Sequence, residues 1–161
     1  MKYIYIGKIV NTHALKGEVR LISNFEFKER IFKKDFKFYI GQAKVEEKVE
    51  TYRTHKQYDM VKFIGIDNIN DVLKYKGSNV YINEEDLTLS NDELLEEDFP
   101  NMTLYNNDTL VGQVEHYRND NGNEMIRVND KYIPYNKNFI TKIDKANKKI
   151  VMHDIEVFLW E

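Results

Sequence analysis

The chain of 161 residues contains no cysteine, so it can form no disulfide, no thiolate metal site and no cysteine nucleophile. It also lacks any apolar run near the roughly 20 residues that a membrane-spanning helix needs. The N-terminal stretch MKYIYIGKIV has no signal-peptide layout, because its short apolar run continues directly into a strand pattern. Apolar residues make up 42% and charged residues 32% of the chain, a balance typical of globular proteins. A cytoplasmic protein without membrane contact is expected, with one ordinary domain or two small ones.

Sequence patterns of catalysis are missing as well. The chain has no G-x-S-x-G nucleophile motif, no P-loop glycine pattern and no dinucleotide-binding G-x-G-x-x-G. Its histidines, at positions 13, 55, 116 and 153, form no H-x-x-x-H pair for a metal ion. A hydrolase or transferase that used His13 with Glu18 would need a substrate pocket and a base within hydrogen-bond reach, and only the residue types support it. We therefore expect no enzymatic activity, no cofactor and no metal site.

Charge is concentrated in segments, although the net charge is only −3. Residues 1–83 contain sixteen Lys and Arg against ten Asp and Glu, whereas residues 84–98 contain eight acids and no base. Residues 99–161 are nearly neutral, with eight bases and nine acids. A basic first part suits a polyanion, since phosphate contacts give affinity without sequence preference. A solvated lysine surface is the alternative.

Short runs rich in Val, Ile, Tyr and Phe, separated by turn signals, predict a mostly β fold. The clearest helix is residues 67–77, where an Asp or Asn N-cap precedes Ile69 and Gly77 stands at the end. The strand spacing predicts two small β-barrel domains. They are expected at residues 1–83 and 99–161, joined by a short acidic linker at residues 84–98.

Two groups of residues suggest binding to a phosphate-bearing partner. Residues 7–21, GKIVNTHALKGEVRL, predict a hairpin whose polar elbow presents Thr12, His13 and Lys16, with Arg20 on the next strand. Loops on a barrel rim often carry binding residues, but a solvated connection fits the same pattern. A basic rim for phosphate and base contacts is the hypothesis, and solvated charges beside a barrel tyrosine are the alternative. The rim would contain Lys16, Arg20, Arg53, His55 and Lys56, with Tyr52 nearby.

A third group is apolar and lies in the second half of the chain. These residues could form an exposed patch for a protein partner. Closure of the second barrel's core is the alternative, and the pattern favours it more strongly for Trp160 than for Leu94 and Leu95. The group consists of Leu94, Leu95, Phe99, Pro100, Tyr135 and Trp160.

The ordered set of motifs resembles a known family, the bacterial ribosome maturation factor RimM. The first half is similar to the family's N-terminal domain in GKIVNTHALKGEVRL and in VKFIGIDNINDVLKYKGSNVYI. The second half resembles a PRC-barrel domain in LVGQVEHY, in IPYNKNFITKIDKANKKIVM and in the tail DIEVFLWE. Each motif alone is weak, but together they cover nearly the whole chain in the family's order.

The resemblance implies a non-enzymatic, chaperone-like assembly factor for the small (30S) ribosomal subunit. Such proteins bind the immature subunit and ribosomal protein nineteen of its head, chiefly through the PRC barrel, and assist 16S rRNA processing and head maturation. A monomer is expected. A generic RNA-binding β-barrel without a dedicated ribosomal role is the alternative. The resemblance gives Thr12, His13, Leu15, Lys16, Gly17 and Arg20 as elbow residues for rRNA or ribosome binding, beside Arg53 and His55 from the basic rim.

The sequence departs from the family pattern at three places. Ala14 stands where the family usually has glycine, so a left-handed backbone there would be less favourable. The family's aromatic pair, usually Tyr-Tyr, falls on Leu94 and Leu95, which keep apolar area but lose the ring and the hydroxyl. The tail, often Gly-Leu-Leu, is VFL here. The resemblance therefore implies that the ribosomal-protein contact lies at the apolar group of the second half. Leu94 and Leu95 belong to that contact only if they take the place of the family's aromatic pair.

Overall fold

Alternating inward and outward residues build the first part of the chain into a barrel. In the computed structural model, which describes residues 1–13 and 17–160, the chain divides into two compact units, Met1–Thr88 and Leu89–Glu161. Six antiparallel strands of the first unit close a barrel in the order β1-β2-β5-β4-β3-β6, and β6 pairs back to β1. The strands are β1 (Tyr3–His13), β2 (Glu18–Ile22), β3 (Lys37–Ile40), β4 (Val45–His55), β5 (Tyr58–Phe63) and β6 (Asn79–Asn83).

The barrel core follows the period of two that a half-buried strand imposes. On β1, Ile4 and Ile6 are buried while Tyr3 and Tyr5 point outward. Gly7 lies at a register shift between β1 and β6, and a Cβ there would overlap the Ile22 carbonyl oxygen of β2. Only glycine fits this close approach of two strands, and the alternation of buried and exposed residues shifts there, although β1 continues to His13.

The predicted helix is confirmed, and its ends follow from its capping residues. Helix α1 (Ile69–Val72) begins after Asn68, whose side chain accepts a hydrogen bond from the Asn70 N–H. It continues as a 3₁₀ helix, Leu73–Tyr75, and Gly77 then turns the chain with a φ of +85°. Two further 3₁₀ helices lie in this unit, at Lys28–Arg30 and Glu84–Asp86.

The second unit is a six-stranded sheet around its own core. Its order is β10-β9-β8-β7-β12-β11, with antiparallel pairs except the parallel pair of β12 and β7. A 3₁₀ helix, Glu96–Asn101, precedes the sheet and α2 (Glu156–Leu159) follows it. The strands are β7 (Thr103–Asn106), β8 (Thr109–Asp120), β9 (Asn123–Val128), β10 (Lys131–Pro134), β11 (Ile140–Asp144) and β12 (Lys149–Met152).

The predicted fold class, mostly β with two small β units, is confirmed. The hydrogen bonds of the described residues close a barrel in the first unit and leave β10 and β11 as the end strands in the second. The acidic segment is not purely linker in character, because Leu94 belongs to the core of the second unit. The domain limits at residues 83 and 99 stay a prediction. Among the described residues, no helix has the length and apolar character to cross a membrane.

Candidate nucleic-acid interface

Two arginines and two histidines gather on one side of the first barrel, and we call them the histidine–arginine cluster (His13, Arg20, Arg53 and His55). His13 ends β1, Arg20 lies on β2, and the other two lie on β4. Strand β5 separates β2 from β4, and its Met60 is the register partner of both Arg20 and Arg53. The two arginines therefore share one row across three neighbouring strands, although 33 positions separate them in the chain.

Arg20 is held in place by aromatic and histidine side chains. Its Nη2 atom lies 2.6 Å from Nδ1 of His13. Because a guanidinium can only donate, Nδ1 accepts this hydrogen bond and carries no proton. The rings of His13 and His55 stack with their centroids 5.9 Å apart and their planes at 27°. The Arg20 guanidinium also lies 5.4 Å from the centre of the Tyr58 ring, a cation–π contact.

Arg53 forms a two-point ion pair with Glu18. Its Nε and Nη2 atoms donate to the two carboxylate oxygens at 2.9 and 2.8 Å. Hydrogen bonding from Arg53 lowers the pKa of Glu18, and burial opposes this. The charge of Arg53 lowers the pKa further, as do those of His13 and His55 when these rings are protonated. Both oxygens of this carboxylate are bound by Arg53 and Nδ1 of His13 is bound by Arg20, so no side-chain hydrogen bond joins His13 to Glu18 among the described residues. This geometry argues against the interpretation of the two as a catalytic pair.

The histidines contribute little permanent charge to the cluster. Burial lowers the pKa of His55, and the positive charges of Lys56 and Arg53 act in the same direction. His55 is therefore neutral near pH 7, and His13 accepts from Arg20 at one nitrogen. The lasting positive charge comes from Arg20, from the partly compensated Arg53 and from exposed Lys56. Fixed guanidinium groups of this kind suit the recognition of phosphate oxygens.

The elbow places its predicted residues around this cluster as far as the structure describes it. Thr12 is half-buried and pairs with Val19 across the hairpin, and His13 pairs with Glu18. Gly17 is buried with a φ of +86°, a conformation that favours glycine. The predictions for Ala14, Leu15 and Lys16 fall on residues 14–16, which lie outside the described residues.

Comparison with known proteins identifies the relatives of this architecture. The model of the RimM N-terminal domain matches residues 4–87. The ribosome maturation factor RimM of Streptococcus suis is 34% identical over 167 residues, covering 98% of this chain and 95% of that protein. The chain belongs to the RimM family. The RimM of Staphylococcus haemolyticus is 35% identical and covers 97% of this chain and 98% of that one. This chain also matches the solution structure of the N-terminal domain of RimM from Thermus thermophilus. The match covers 55% of this chain and 98% of the solved domain, with 19% identity and a TM-score of 0.48.

Family membership confirms the resemblance inferred from the sequence motifs, but one residue of the proposed rim has another role. Tyr52 turns inward, where its ring stacks on Phe32 with the centroids 4.8 Å apart. Its hydroxyl donates to Asp59 at 2.6 Å, and Lys28 donates to the same carboxylate at 2.8 Å. Tyr52 and Arg53 are neighbours on β4 and therefore point to opposite faces. Tyr52 is therefore a barrel residue, which is the alternative that the sequence left open, and its ring does not belong to the basic rim.

In the second unit of this RimM-family chain, the predicted apolar patch divides into buried and exposed residues. Leu94 and Leu95 are 6% and 4% exposed, and Phe99 stacks on Tyr117 with ring centroids 4.5 Å apart. Half-buried Tyr135 packs edge-on against Phe99 at 5.0 Å. The prediction that the leucine pair is exposed is therefore wrong. Leu94 packs in the core of the second unit, and the Leu95 N–H donates to the Asp98 carboxylate at 2.9 Å, which caps the 3₁₀ helix that follows.

Trp160 is an exposed member of the predicted patch, which reverses the order of burial expected for it and the leucine pair. It is 72% exposed, and Pro100 is also exposed. Val157 on α2 and Leu110 on β8 are 58% and 61% exposed. A pocket of about 520 Å³ lies beside them, lined in part by Leu110, Val111 and Leu159. Trp160 lies one residue beyond α2, which ends at Leu159.

Sequence reasoning missed two aromatic surfaces of this RimM-family chain. On the first unit, Tyr3 and Tyr5 point outward from β1, and the period-two pattern YIYI could have shown this. On the second unit, the Tyr132 ring lies near two guanidinium groups, 5.3 Å from that of Arg127 and 5.8 Å from that of Arg118. Hydrogen bonds from these arginines lower the pKa of Tyr132. No local signal reveals the second surface, since its members come from three strands.

No metal centre is present in the part of the chain that the structure describes. No group of three His, Asp or Glu side chains lies close enough there to hold an ion.

Proposed function

We propose that this chain is a ribosome maturation factor that acts by binding and not by catalysis. The observation that carries the proposal is its 34% identity to a ribosome maturation factor RimM over 98% of its length. The histidine–arginine cluster adds support, because it offers guanidinium groups and no base held ready for proton transfer. We propose further that the protein works in the cytoplasm as a monomer, without metal or cofactor.

The proposed target is the immature small (30S) ribosomal subunit with its 16S rRNA. In this proposal the first unit contacts rRNA phosphates through Arg20, Arg53 and Lys56, and assists 16S rRNA processing and maturation of the head. A binding protein shifts an assembly equilibrium only by its differential affinity for the two states. The protein therefore has to bind the immature arrangement more tightly than the mature one, and it leaves when mature contacts replace it.

The second unit is proposed to bind ribosomal protein nineteen of the head. Leu110, Val157 and Trp160 support this assignment, because each is a large apolar side chain of this unit that is more than half exposed. We propose that they belong to one contact surface, since exposed apolar patches mark protein contacts. Tryptophan is enriched among the residues that contribute most to protein interfaces. Leu94 and Leu95 do not belong to this surface, because both are buried.

Co-sedimentation with ribosomal subunits tests the proposal. We expect the purified chain to sediment with immature small subunits and to bind mature ones much more weakly. Trp160→Ala should weaken this binding about tenfold, as the loss of a central interface residue does. The control is Leu73→Ala, which removes an apolar side chain that is 50% exposed on the first unit.

Three outcomes would count against parts of the proposal. Absence of binding to either subunit contradicts the assembly-factor function. Equal loss in the Trp160 and Leu73 variants moves the protein contact away from the proposed surface. Binding to unrelated RNA as tight as binding to immature subunits would favour a generic RNA-binding protein instead.

A further inference from the structure

Four tyrosines form one continuous outer surface on the first barrel, and we call it the tyrosine face (Tyr3, Tyr5, Tyr39 and Tyr81). They come from three neighbouring strands, β1, β6 and β3. Tyr81 on β6 is the register partner of Tyr5 on one side and of Tyr39 on the other. Directly opposed residues in antiparallel strands point to the same side of a sheet. The isoleucine neighbours of these tyrosines, Ile4, Ile6 and Ile82, are buried in the barrel.

The rings support one another in a fixed arrangement. Tyr3 lies edge-on to Tyr39 and Tyr81, with centroids 5.3 and 6.4 Å apart, and Tyr5 lies edge-on to Tyr81 at 6.0 Å. These are the distances of favourable aromatic pairs. Tyr39 is only 6% exposed beneath its neighbours, whereas Tyr5 is 55% exposed. Tyr5 is therefore the most accessible ring of the face, Tyr3 and Tyr81 are half-buried, and Tyr39 is buried.

Lysines surround this face. Lys44 places its ammonium 4.3 Å from the centre of the Tyr81 ring and 5.5 Å from that of Tyr3. Lys8 pairs with Asn79 in the outward register next to Tyr5 and Tyr81. On the other side, Lys37 lies two residues before Tyr39 and is the register partner of Lys48.

The acidic groups near the face are fewer. Glu46 is the register partner of Tyr39, and its charge and that of Asp86 raise the pKa of Tyr39, after the larger effect of burial. Glu84 is paired with Lys2 at 3.4 Å. The four lysines therefore outnumber Glu46 and Asp86, so the surface attracts a polyanion and disfavours a basic protein segment.

We propose that the tyrosine face binds unpaired RNA nucleotides, with a base stacked on Tyr5 and the phosphates held by Lys44 and its neighbouring lysines. Proteins that bind single-stranded nucleic acids combine exposed aromatic rings, on which bases stack, with cations that contact the phosphates. Paired bases keep their faces inside the helix, so a duplex cannot occupy the ring in this way. The site goes beyond the proposed function, because it uses none of the residues of the histidine–arginine cluster.

Fluorescence anisotropy with the full chain tests the proposal. The probe is a labelled oligouridine of about eight nucleotides, the length that one small β-barrel covers. We expect Tyr5→Leu to weaken binding about tenfold, the effect of losing one stacked base. Tyr5→Phe keeps the ring and should bind within about twofold of the natural chain. Lys44→Gln should weaken binding and make its salt dependence shallower.

A tyrosine on the second unit provides the matched control. Tyr105 also has a lysine above its ring, with Lys149 Nζ 5.2 Å from the ring centre, but no ring contact with another tyrosine is found for it among the described residues. Tyr105→Leu should leave the affinity for the oligouridine unchanged. Thermal unfolding of each variant confirms that the fold is intact.

The proposal and the proposed ribosomal function fail in different ways. If the oligouridine binds no better than a duplex of equal length, or if Tyr5→Leu and Tyr105→Leu have equal effects, the tyrosine face is not an RNA site. Tight binding of an arginine-rich peptide that Tyr5→Leu abolishes, with RNA binding unaffected, would overturn the proposal in favour of a protein contact. Loss of subunit co-sedimentation in the Trp160 variant with unchanged oligouridine affinity would leave the proposal standing.

Discussion

Arg53 on β4 holds both carboxylate oxygens of Glu18 on β2, across the strand that lies between them. The arginine side chain is 48% exposed and that of Glu18 only 16%, so the pair reaches from solvent down to the barrel wall. The bridge removes part of the positive charge that the sequence assigns to this side of the molecule. It also gives a direct way to change the charge of the histidine–arginine cluster.

Neutralising Glu18 should strengthen the binding of RNA. Glu18→Gln removes the carboxylate that compensates Arg53, so one more guanidinium becomes available to a phosphate. We expect a higher affinity at low salt and a salt dependence steeper by about 0.7 in the log–log slope for a single strand. Titrations at several salt concentrations measure both. Glu29→Gln is the matched control, because Glu29 also faces an arginine, Arg30 at 3.6 Å, outside the cluster. Identical slopes in the two variants would contradict the role given to Arg53.

The same pair should make stability depend on pH in the acid range. Arg53 holds the pKa of Glu18 below its ordinary value of 4.5. The pair therefore stabilises the fold above that value, and this contribution is lost as the pH falls through the lower folded-state pKa. Urea midpoints of the natural chain and of Glu18→Gln, compared from about pH 6 to about pH 3, should converge on acidification. A difference that grows toward low pH would show that the pair does not act this way.

Tyr52→Phe should destabilise the first unit, because Asp59 is only 2% exposed and would lose one of its two charge-assisted contacts. A hydrogen bond to a buried charged group of this kind contributes about 2 kcal/mol to the free energy of unfolding. Urea unfolding followed by circular dichroism gives the value. The control is Tyr5→Phe, which removes an exposed hydroxyl and should change stability by less than about 0.5 kcal/mol. Equal effects in the two variants would place Tyr52 outside the buried network.

Leu94→Ala should lower mainly the stability of the second unit, whereas Trp160→Ala should lower mainly the binding of a partner. Leu94 packs in the core of the second unit, and its truncation should cost about 3 kcal/mol of unfolding free energy. Trp160 is exposed, so its removal should change stability by less than about 0.5 kcal/mol and act on partner binding instead. Thermal unfolding and subunit binding, measured on both variants, separate the two roles. Strong destabilisation by Trp160→Ala would indicate that Trp160 packs in the core and would contradict this prediction.

The local signals of the sequence predicted much of the fold. Turn residues and β-branched runs mark the strands, and Asn68 and Gly77 bound the only helix that the sequence predicts clearly. Capping and positive φ angles are properties of one or two residues, so they can be read without knowing the fold. The sequence predicts the members of the histidine–arginine cluster, His13, Arg20, Arg53 and His55, as candidate binding residues. It does not predict their contacts with one another, with Glu18 or with Tyr58.

Burial at the chain's second half could not be predicted in the same way. Leu94 and Leu95 stand in an acidic stretch, whereas Trp160 ends an apolar one, so local composition gives the wrong order of exposure. In the structure both leucines are buried, beside the Asp98 cap on the Leu95 N–H and the stack of Phe99 on Tyr117. These contacts cannot be read from local composition. Tyr52 shows the same limit, since its partner Asp59 is identified only by the pairing of β4 with β5.

The sequence by itself determined the chemistry available to this protein: a β-rich chain without thiols, with a basic first half and a family-specific order of motifs. Tertiary structure decided which of these groups meet. It compensated Arg53 with Glu18, turned Tyr52 toward Asp59, buried Leu94, and brought tyrosines from three strands onto one outer face. Strand order sets these contacts, because β1 closes the barrel against β6, nearly 70 residues away along the chain. Only that closure places Tyr5 beside Tyr81.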